Sequence, residues 1–390
     1  MDLKEIYKKT VSEALQKDMR AIDCLLHPEK HPPVWKFETC AAPCGECENV
    51  CDFDALERDE NGDVRIRVDS CAGCGACIDA CSSKKLTAGK ELFAVLSEIA
   101  AGKTVYALVA PAFFAQGNAS AGQLRTCFKK MGFAGMLEIA LFADILTLKE
   151  SMDFLEIPED DFMLASCCCP IWIAMIRKTF QGFVSHIPPS VSPMVAGGRT
   201  LKKLYENCTT VFVSPCLAKK SEAREPDIAG AIDYVLTFDE IEYLLNLLGL
   251  DPEKQPEDDK ENTSGMGRLY ARSGGVSRAV TTTVNAIDPS RRIRDLCAEG
   301  VPACRDLLNR LKEGKITADY IEGMGCPGGC VGGPKTSANH EKARTRVDEL
   351  AEEAAYPTPK ENPFVFKLLD ELGLDTLEKL QASEIFSRKF

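Results

Sequence analysis

The sequence has few histidines and tryptophans and no long hydrophobic run. Its 390 residues include 4 histidines and 2 tryptophans, and acidic residues outnumber basic ones by 59 to 47. No apolar run approaches the roughly 18 residues that cross a bilayer, which excludes a helical membrane span. The formal charge of −12 argues against a nucleic-acid partner, because such proteins usually carry a basic stripe.

Cysteine, by contrast, is abundant, with 19 residues. That number suggests disulfides only in a small secreted chain, and this chain is long. Its first residues, MDLKEI, are charged and periodic, unlike a signal peptide. With 45% hydrophobic and 27% charged residues, the composition is that of a globular protein. We therefore expect a cytoplasmic protein whose grouped cysteines bind metal.

Apolar periodicity predicts a helix over residues 2–20, followed by a cysteine-rich segment and then alternating strands and helices. Strands are predicted at residues 105–109, 136–141, 162–165, 211–213 and 234–236, and helices at 241–248 and 304–311. Residues 251–267 predict an exposed charged loop. The alternation predicts an α/β fold with largely parallel sheets in two lobes, preceded by a small ferredoxin-like domain. The predicted domains are 1–36 (helical segment), 37–90 (ferredoxin-like), 91–340 (large domain) and 341–390, a helical C-terminal cap.

The cysteine-rich segment has the ligand spacing of bacterial ferredoxins. Cys71-x2-Cys74-x2-Cys77-x3-Cys81 matches that motif, with Ser82 in place of the usual proline. A near copy with one extra residue in its first gap precedes it. The crossed pattern of the motif assigns Cys40, Cys44, Cys47 and Cys81 to a first [4Fe-4S] cluster and Cys71, Cys74, Cys77 and Cys51 to a second.

The alternative for this segment is structural zinc, which also binds CxxC pairs. Zinc sites usually take two separated pairs, whereas here three cysteines follow one another closely and a fourth stands apart. The spacing therefore favours two iron–sulfur clusters.

Three further cysteine motifs lie far apart in the chain. They read ASCCCPIW at residues 165–172, SPCLAKKSE at 214–222 and EGMGCPGGC at 322–330. Each follows a predicted strand or contains several glycines, and the carboxyl ends of parallel strands are where α/β folds place their sites. Thiolates are the preferred ligands of iron–sulfur clusters, so we expect the three loops to meet at one metal centre.

In order and in content, these motifs resemble the three signatures of [FeFe]-hydrogenases over roughly residues 40–340. The resemblance implies an H-cluster, in which a [4Fe-4S] cubane is joined to a diiron unit carrying CO, cyanide and azadithiolate. It assigns the cubane four ligands, with the sulfur of the last bridging to the diiron unit: Cys169, Cys216, Cys326 and Cys330.

The resemblance also assigns residues around the diiron unit. Cys168 falls at the family's proton-delivering thiol, and Lys219 at the lysine that donates a hydrogen bond to a cyanide ligand. Glu222, one helical turn further, is expected to orient that lysine, and Met324 to line the site. Further residues at the cofactor pocket are Pro111, Ala112, Ser214 and Pro215. Considered singly, each of three residues has an ordinary alternative role: a buried thiol for Cys216, a surface charge for Lys219 and a core side chain for Met324.

Some positions depart from the family's commonest pattern. Three cysteines precede Pro170 where two are usual, Ser214 stands where many members have methionine, and Ala112 replaces a hydroxyl residue. These changes resemble a divergent branch often called group B. We expect them to alter hydrogen bonding around the diiron ligands.

The proton route is less well marked. Alignment to the family helix places Glu150 at the first carboxylate relay and Asp153 near the second, with Ile157 where an arginine is usual. Pro188 falls at the position of a relay serine and cannot relay a proton. We therefore expect Glu150 to pass protons to water or along another path. The alternative is that Glu150 is a surface carboxylate of its helix.

The resemblance implies reversible reduction of protons to H2 in an anaerobic setting. Ferredoxin or a similar small carrier would deliver electrons through the two [4Fe-4S] clusters, and maturation proteins would install the cofactor. One alternative is an H2-sensing homologue with low turnover, although Cys168 is retained and no signalling domain is present. A second is a cluster-bearing assembly factor, against which Cys330, Cys168 and Lys219 all argue.

Overall fold

A computed structural model describes residues 24–25, 27–36, 38–40, 44–258 and 260–390. The helix predicted over residues 2–20 lies outside these ranges. None of the described helices is long and apolar enough to cross a membrane.

The described residues form eleven strands, whose bounds agree with most of the predicted ones. They are β1 Val34–Lys36, β2 Leu56–Arg58, β3 Val64–Ile66, β4 Leu86–Ala88, β5 Val105–Val109, β6 Gly135–Glu138, β7 Met163–Leu164, β8 Thr209–Ser214, β9 Tyr234–Thr237, β10 Asp295–Glu299 and β11 Tyr320–Met324.

Fourteen α-helices are found in the same ranges. They are α1 Ala76–Ala80, α2 Leu92–Ala100, α3 Ala121–Lys130, α4 Ala140–Leu155, α5 Pro170–Thr179, α6 Pro193–Leu204, α7 Ala218–Glu222, α8 Phe238–Leu248, α9 Gly265–Leu269, α10 Gly275–Ile287, α11 Val301–Lys312, α12 His340–Glu352, α13 Pro363–Glu371 and α14 Leu377–Gln381.

Two parallel sheets organise the large domain and confirm the predicted α/β class. The first has the order β6-β5-β8-β9, and the second has the order β10-β11-β7. Every residue of β8 is buried, as expected for a strand covered by helices on both faces. The carboxyl ends of β5, β7, β8 and β11 lead into Pro111 and the three cysteine loops, so the topology gathers those loops.

Two details of the secondary structure were predicted wrongly. The strand expected at residues 136–141 ends at Glu138, because Ile139 already caps helix α4. The end of the expected exposed loop at 251–267 is buried: Ser264 donates to Asp144 at 2.5 Å and begins helix α9. Asn362 of the C-terminal cap donates to the same carboxylate at 2.9 Å.

The cysteine-rich segment forms two small antiparallel pairs, β1 with β4 and β2 with β3. Its own apolar core is small, and several cysteines pack against it. The segment sits directly on the large domain: a Cβ added to Gly73 would lie 2.8 Å from the Cα of Ala218. Arg224 also donates to the carbonyl of His31 at 2.6 Å.

A buried charge network supports the sheet edge beside this contact. The Lys220 ammonium lies 3.5 Å from carboxylates of both Glu91 and Glu240 and also donates to the carbonyl of Val235. Glu91 in turn pairs with Arg224 at 2.7 Å. Burial opposes ionisation of Glu240, yet Lys220 and other donors hold the pKa of Glu240 below its ordinary value. Removal of one partner would leave a buried charge uncompensated.

We therefore expect Glu240→Ala to lower the free energy of unfolding by about 3–5 kcal/mol, the range for breaking a buried ion pair. Urea unfolding followed by circular dichroism would measure the change. The matched control is Glu242→Ala on the same helix, whose carboxylate accepts only a surface hydrogen bond from Ser337. Equal stability of the two variants would contradict the expectation.

Candidate functional site

One internal cavity lies where the three cysteine loops meet, and we call it the central cavity. Its volume is about 70 Å³. Apolar side chains such as Phe212 and Tyr270 form much of its wall. Five cysteines line it, one or two from each loop: Cys168, Cys169, Cys216, Cys326 and Cys330. The structure thus brings together thiols that lie up to 162 residues apart in the sequence.

The first two loops hold their cysteines by backbone geometry. Ser166 adopts a left-handed conformation with φ 66°, which turns the chain directly after β7. Cys169 caps helix α5, with Pro170 at its first position, and the Cys169 sulfur accepts from the amide of Gly325 at 3.2 Å. In the second loop, the Cys216 amide donates to the Ser214 hydroxyl at 3.2 Å.

The third loop depends on glycine where the backbone passes close to its neighbours. Gly329 has φ +87°, and a Cβ there would lie 2.5 Å from the amide nitrogen of Ser273. A Cβ on Gly325 would lie 2.6 Å from the side chain of Ile171. No other residue allows both the conformation and the approach, so these glycines bring Cys326 and Cys330 to the cavity wall.

Burial makes these thiols hard to ionise. It raises the pKa of Cys216 to about 11 and that of Cys330 to about 12, and neighbouring sulfurs add to the effect. The same cause raises the pKa of Cys326 well above its ordinary value. Thiolates in such a place need a compensating positive charge, which bound iron supplies.

One cation faces the thiols. Lys219 lines the central cavity, and its ammonium pairs with Glu222 at 2.5 Å in a buried contact. Burial alone would lower the pKa of Lys219, but Glu222 and the cavity sulfurs outweigh it and raise the pKa. Lys219 is therefore a fixed cation at the cavity wall and not a solvated surface charge. The other oxygen of Glu222 has no hydrogen-bond partner among the described residues.

The remaining predicted pocket residues divide into two groups. Pro111, Ser214, Pro215 and Met324 line the central cavity. Ala112 does not: its side chain is fully buried, one residue beyond Pro111. Ala112 packs in the hydrophobic core within the 3-10 turn Pro111–Ala115, and its predicted role at the cofactor pocket stays a prediction.

Glu150 is buried and is not itself a lining residue, but its carboxyl is close enough to the lining residue Tyr270 to raise the pKa of that phenol further above its ordinary value, an effect that burial dominates. The alternative prediction, that Glu150 is a surface carboxylate of its helix, is therefore wrong. Burial raises the pKa of Glu150 to about 8, while the Lys149 ammonium and hydrogen bonds from Cys167 and Ser190 lower it. One carboxylate oxygen has no partner in the described part of the chain.

The ferredoxin-like segment has two further cavities. The inner cavity is lined by Cys51, Cys71, Cys74 and Cys77, and the outer cavity by Cys40, Cys44, Cys47 and Cys81. These are the two groups that the crossed ferredoxin pattern predicts. Within the described residues, no three His, Cys, Asp or Glu side chains converge closely enough to hold a single metal ion.

The three cavities follow one another. Cys51 and Cys74 of the inner cavity pack in one apolar cluster with Cys169 and Cys216 of the central cavity. At the other end, Cys47 of the outer cavity is close enough to affect the ionisation of inner Cys77. The cysteines therefore form a line from the outer cavity to the central one.

The sequence did not indicate every residue of the site. Tyr270 lines the central cavity, with its hydroxyl fixed 2.9 Å from Thr147, and no local motif marks it. The Ser190 hydroxyl lies close enough to the Glu150 carboxyl to affect its pKa. The resemblance to the family, by contrast, places Pro188 at the position of the relay serine. Ser190 follows Pro188 by two residues in the sequence, but the sequence does not show which way the Ser190 side chain points.

Residues 103–334 match the family described as iron only hydrogenase large subunit, C-terminal domain. This is more than half of the chain, and the protein therefore belongs to the iron-only hydrogenase family. With that membership and these cysteine-lined cavities, it is an iron–sulfur protein.

Relatives with established names include two kinds of protein. The NADP-reducing hydrogenase subunit HndD of Solidesulfovibrio fructosivorans is 24% identical over 367 residues, covering 77% of this chain and 62% of that protein. Cytosolic iron-sulfur assembly component 3 of Rattus norvegicus is 25% identical over 379 residues, covering 78% and 79%. The chain spans 62% of the length of HndD, 62% of the periplasmic [Fe] hydrogenase large subunit of Nitratidesulfovibrio vulgaris and 47% of iron hydrogenase 1 of Clostridium pasteurianum.

Solved structures share the fold. An [FeFe]-hydrogenase studied for oxygen inactivation of its H cluster superposes with a TM-score of 0.65 at 20% identity, covering 76% of this chain and 98% of that one. Apo [FeFe]-hydrogenase HydA1 from Chlamydomonas reinhardtii gives a TM-score of 0.61 at 21% identity, covering 74% and 94%. At this identity the likeness concerns the fold.

The pKa of Glu150 gives a testable expectation. Because its folded pKa of about 8 exceeds its ordinary value of 4.5, the folded protein keeps this carboxyl protonated at neutral pH. Its contribution to stability is full below pH 4.5 and falls as the pH rises through about 8. Infrared difference spectra of the wild type against Glu150→Gln should show a protonated-carboxyl band that disappears near pH 8. A band already absent at pH 6 would contradict this, and Glu156→Gln should leave the band unchanged.

Proposed function

We propose that the protein catalyses the reversible reduction of protons to H2 at an H-cluster in the central cavity. The observation that carries the proposal is the convergence of five thiols and the Lys219 ammonium on one apolar cavity. Four sulfurs suffice for a cubane, and the fifth, Cys168, lies beside them. A site built only to hold a cubane needs neither Cys168 nor a buried cation.

The residues present fit the implied cofactor. Cys169, Cys216, Cys326 and Cys330 are the four ligands, and Gly329 lets the backbone approach closely enough to place the last two. When bound, the H-cluster supplies an open iron site and a pendant amine for splitting or forming H2. The protein excludes water with an apolar wall and fixes the ligands.

Two side chains act on the reacting groups. Lys219, held by Glu222 at 2.5 Å, lines the cavity, where its ammonium would donate to an anionic diatomic ligand of the cofactor. The Cys168 sulfur holds and releases the proton, because it faces the cavity from beside ligand Cys169. Ser214 accepts from the Cys216 amide, so its hydroxyl is partly engaged away from the diiron ligands.

Electrons enter, in this proposal, from a ferredoxin or a similar small carrier and pass through two [4Fe-4S] clusters in the outer and inner cavities. The line of cysteines from outer to central cavity supports this order. Cys44 and Cys81 of the outer cavity are partly exposed, as an entry point requires. The eight cysteines that line the outer and inner cavities form no disulfides, which suits a reducing, anaerobic compartment. Maturation proteins would install the diiron unit.

A second candidate is an iron–sulfur assembly function without H2 chemistry. It is favoured by the cytosolic assembly relatives, which match over 78% of this chain at a similar identity. A sensing role with low turnover is a third possibility within the same site chemistry. Catalysis is the better-supported proposal, because Cys168, Lys219 and Met324 all face the central cavity.

We expect protein matured with the diiron cofactor to evolve H2 from reduced viologen and to show infrared bands of bound CO and cyanide. Infrared bands of bound CO and cyanide together with H2 evolution would support catalysis. Bands with only trace turnover would favour sensing, and iron–sulfur absorption without the bands would favour an assembly role. The control is protein produced without the maturation proteins, which should hold cubanes only.

Cys168→Ala should lower H2 evolution by about 10²–10⁴-fold, the usual contribution of a positioned proton donor. The CO and cyanide bands should persist, because Cys168 is not a ligand in the proposal. Cys297→Ala, which removes an exposed thiol, is the matched control and should keep full activity. Unchanged turnover in Cys168→Ala would reject the role of this thiol in proton transfer.

A further inference from the structure

Glu322 begins the third cysteine motif, and the site described above gives it no role. It lies on β11, its side chain is fully buried, and both of its carboxylate oxygens accept backbone hydrogen bonds. Oε1 accepts from the amide of Gly274 at 2.8 Å, and Oε2 accepts from the amide of Ser277 at 2.7 Å. These two amides belong to the start of helix α10. Glu322 thus joins the strand that leads into the third cysteine loop to the start of a helix 45 and 48 residues earlier in the chain.

The residues around these two amides also hold the third cysteine loop. The carbonyl two residues before Cys330 accepts from the amide of Ser273 at 3.1 Å. The amide one residue after Cys330 donates to the carbonyl of Ala271 at 3.0 Å. The backbone on both sides of this cysteine is therefore tied to residues 271–277, which we call the holding segment.

No side chain separates the holding segment from the cysteine loop. A Cβ on Gly329 would lie 2.5 Å from the amide nitrogen of Ser273. Within the segment, a Cβ on Gly275 would collide with the carbonyl oxygen of Leu269. Interiors packed this closely transmit strain. A shift of the holding segment would therefore move the backbone that carries Cys330.

Glu322 stands behind the wall of the central cavity. Ala271, Met324 and Cys330 line that cavity, and Glu322 does not. Met324 follows Glu322 by two residues on β11, so the two side chains share one face of the strand. Glu322 therefore acts on the site through the backbone that it holds, and not by contact with a bound group.

We propose that Glu322 is a positioning residue for the Cys330 sulfur: from β11 it fixes the holding segment, which in turn fixes the backbone on both sides of Cys330. The inference rests on the proposed function only in taking Cys330 as a ligand of the cluster in the central cavity. The groups that orient a ligand tune the metal that it binds. Loss of the Glu322 contacts should therefore change the electronic structure of that cluster.

The competing explanation is that Glu322 only caps helix α10. A carboxylate at a helix N-terminus stabilises the helix, because it accepts from the free amides and opposes the helix dipole. Such a cap raises the free energy of unfolding and leaves the folded cysteine site unchanged. Helices usually take a cap from the side chain at their own N-cap position. Here that position is Gly274, and the carboxylate comes from the strand before the cysteine loop.

Electron paramagnetic resonance of the reduced central cubane separates the two explanations. Protein produced without the maturation proteins is used, so that the result does not depend on the diiron unit. Cys216→Ala removes a proposed ligand and identifies the part of the spectrum that belongs to the central cubane. Burial raises the pKa of Glu322 to about 7, although its two amide partners lower it. Spectra are therefore recorded well above this pH, where the carboxylate is ionised.

We expect Glu322→Ala to shift the g values of the central signal, because both amides lose their acceptor. Glu322→Gln keeps the shape of the side chain but has a single acceptor oxygen, so it should give a smaller shift in the same direction. This variant also decides the question if Glu322→Ala does not fold. In matured protein both variants should shift the infrared bands of bound CO, because the Cys330 sulfur bridges to the diiron unit in the proposed function.

The matched control is Asp295→Asn. Asp295 lies on the neighbouring strand β10 and accepts from the side-chain hydroxyl of Ser277 at 2.6 Å. It therefore meets the same turn of helix α10 but binds a side chain instead of the backbone amides. Asp295→Asn should keep the wild-type g values, even if thermal unfolding begins at a lower temperature.

Wild-type g values in folded Glu322→Gln and Glu322→Ala, with lower thermal stability, would identify a helix cap and overturn the proposal. A shift in Asp295→Asn as large as that in Glu322→Gln would also overturn it, because any change at the helix start would then act on the cluster. A wild type that shows the central signal but evolves no H2 would overturn the proposed function alone. A wild type without any signal that Cys216→Ala removes would overturn both.

Discussion

Desolvation of sulfur is the constraint on which the centre of the molecule depends. Five thiols line one small cavity, and burial holds the pKa of each above its ordinary value. The surrounding fold keeps them together through parallel strands that end at one place and through glycine contacts that no side chain would permit. Such an arrangement is stable in its working form only with a positively charged cluster inside it. The architecture is therefore that of a site shaped to hold an iron–sulfur cofactor.

The ferredoxin-like segment contacts the central cavity through apolar side chains. The cysteine cavities lie on one side of the central cavity, in contact through the apolar cluster around Phe53, Ile171 and Ala218. Beside Glu150, where helix α4 meets the C-terminal residues, Lys149 and Gln381 both donate to the Asp153 carboxylate.

The residues that depart from the family's common pattern make contacts with their near neighbours. The additional cysteine of the first loop, Cys167, donates to the Pro188 carbonyl, and Ser190 follows that proline by two residues. Identity of 20–25% to hydrogenases and to assembly proteins alike is consistent with a chain that keeps the cavity and changes what surrounds it.

The sequence by itself determined the α/β class, the cysteine motifs and their resemblance to one family, because ligand spacing and strand periodicity are local properties of the chain. It also placed strands β5, β8 and β9 nearly to the residue, since these are short apolar runs. Only the tertiary structure decided that Glu150 is buried, that Ala112 faces the core and that Ser190 and Lys149 meet beside Glu150. Those outcomes depend on which elements pack against each other over more than forty residues of chain, and no local pattern records that packing.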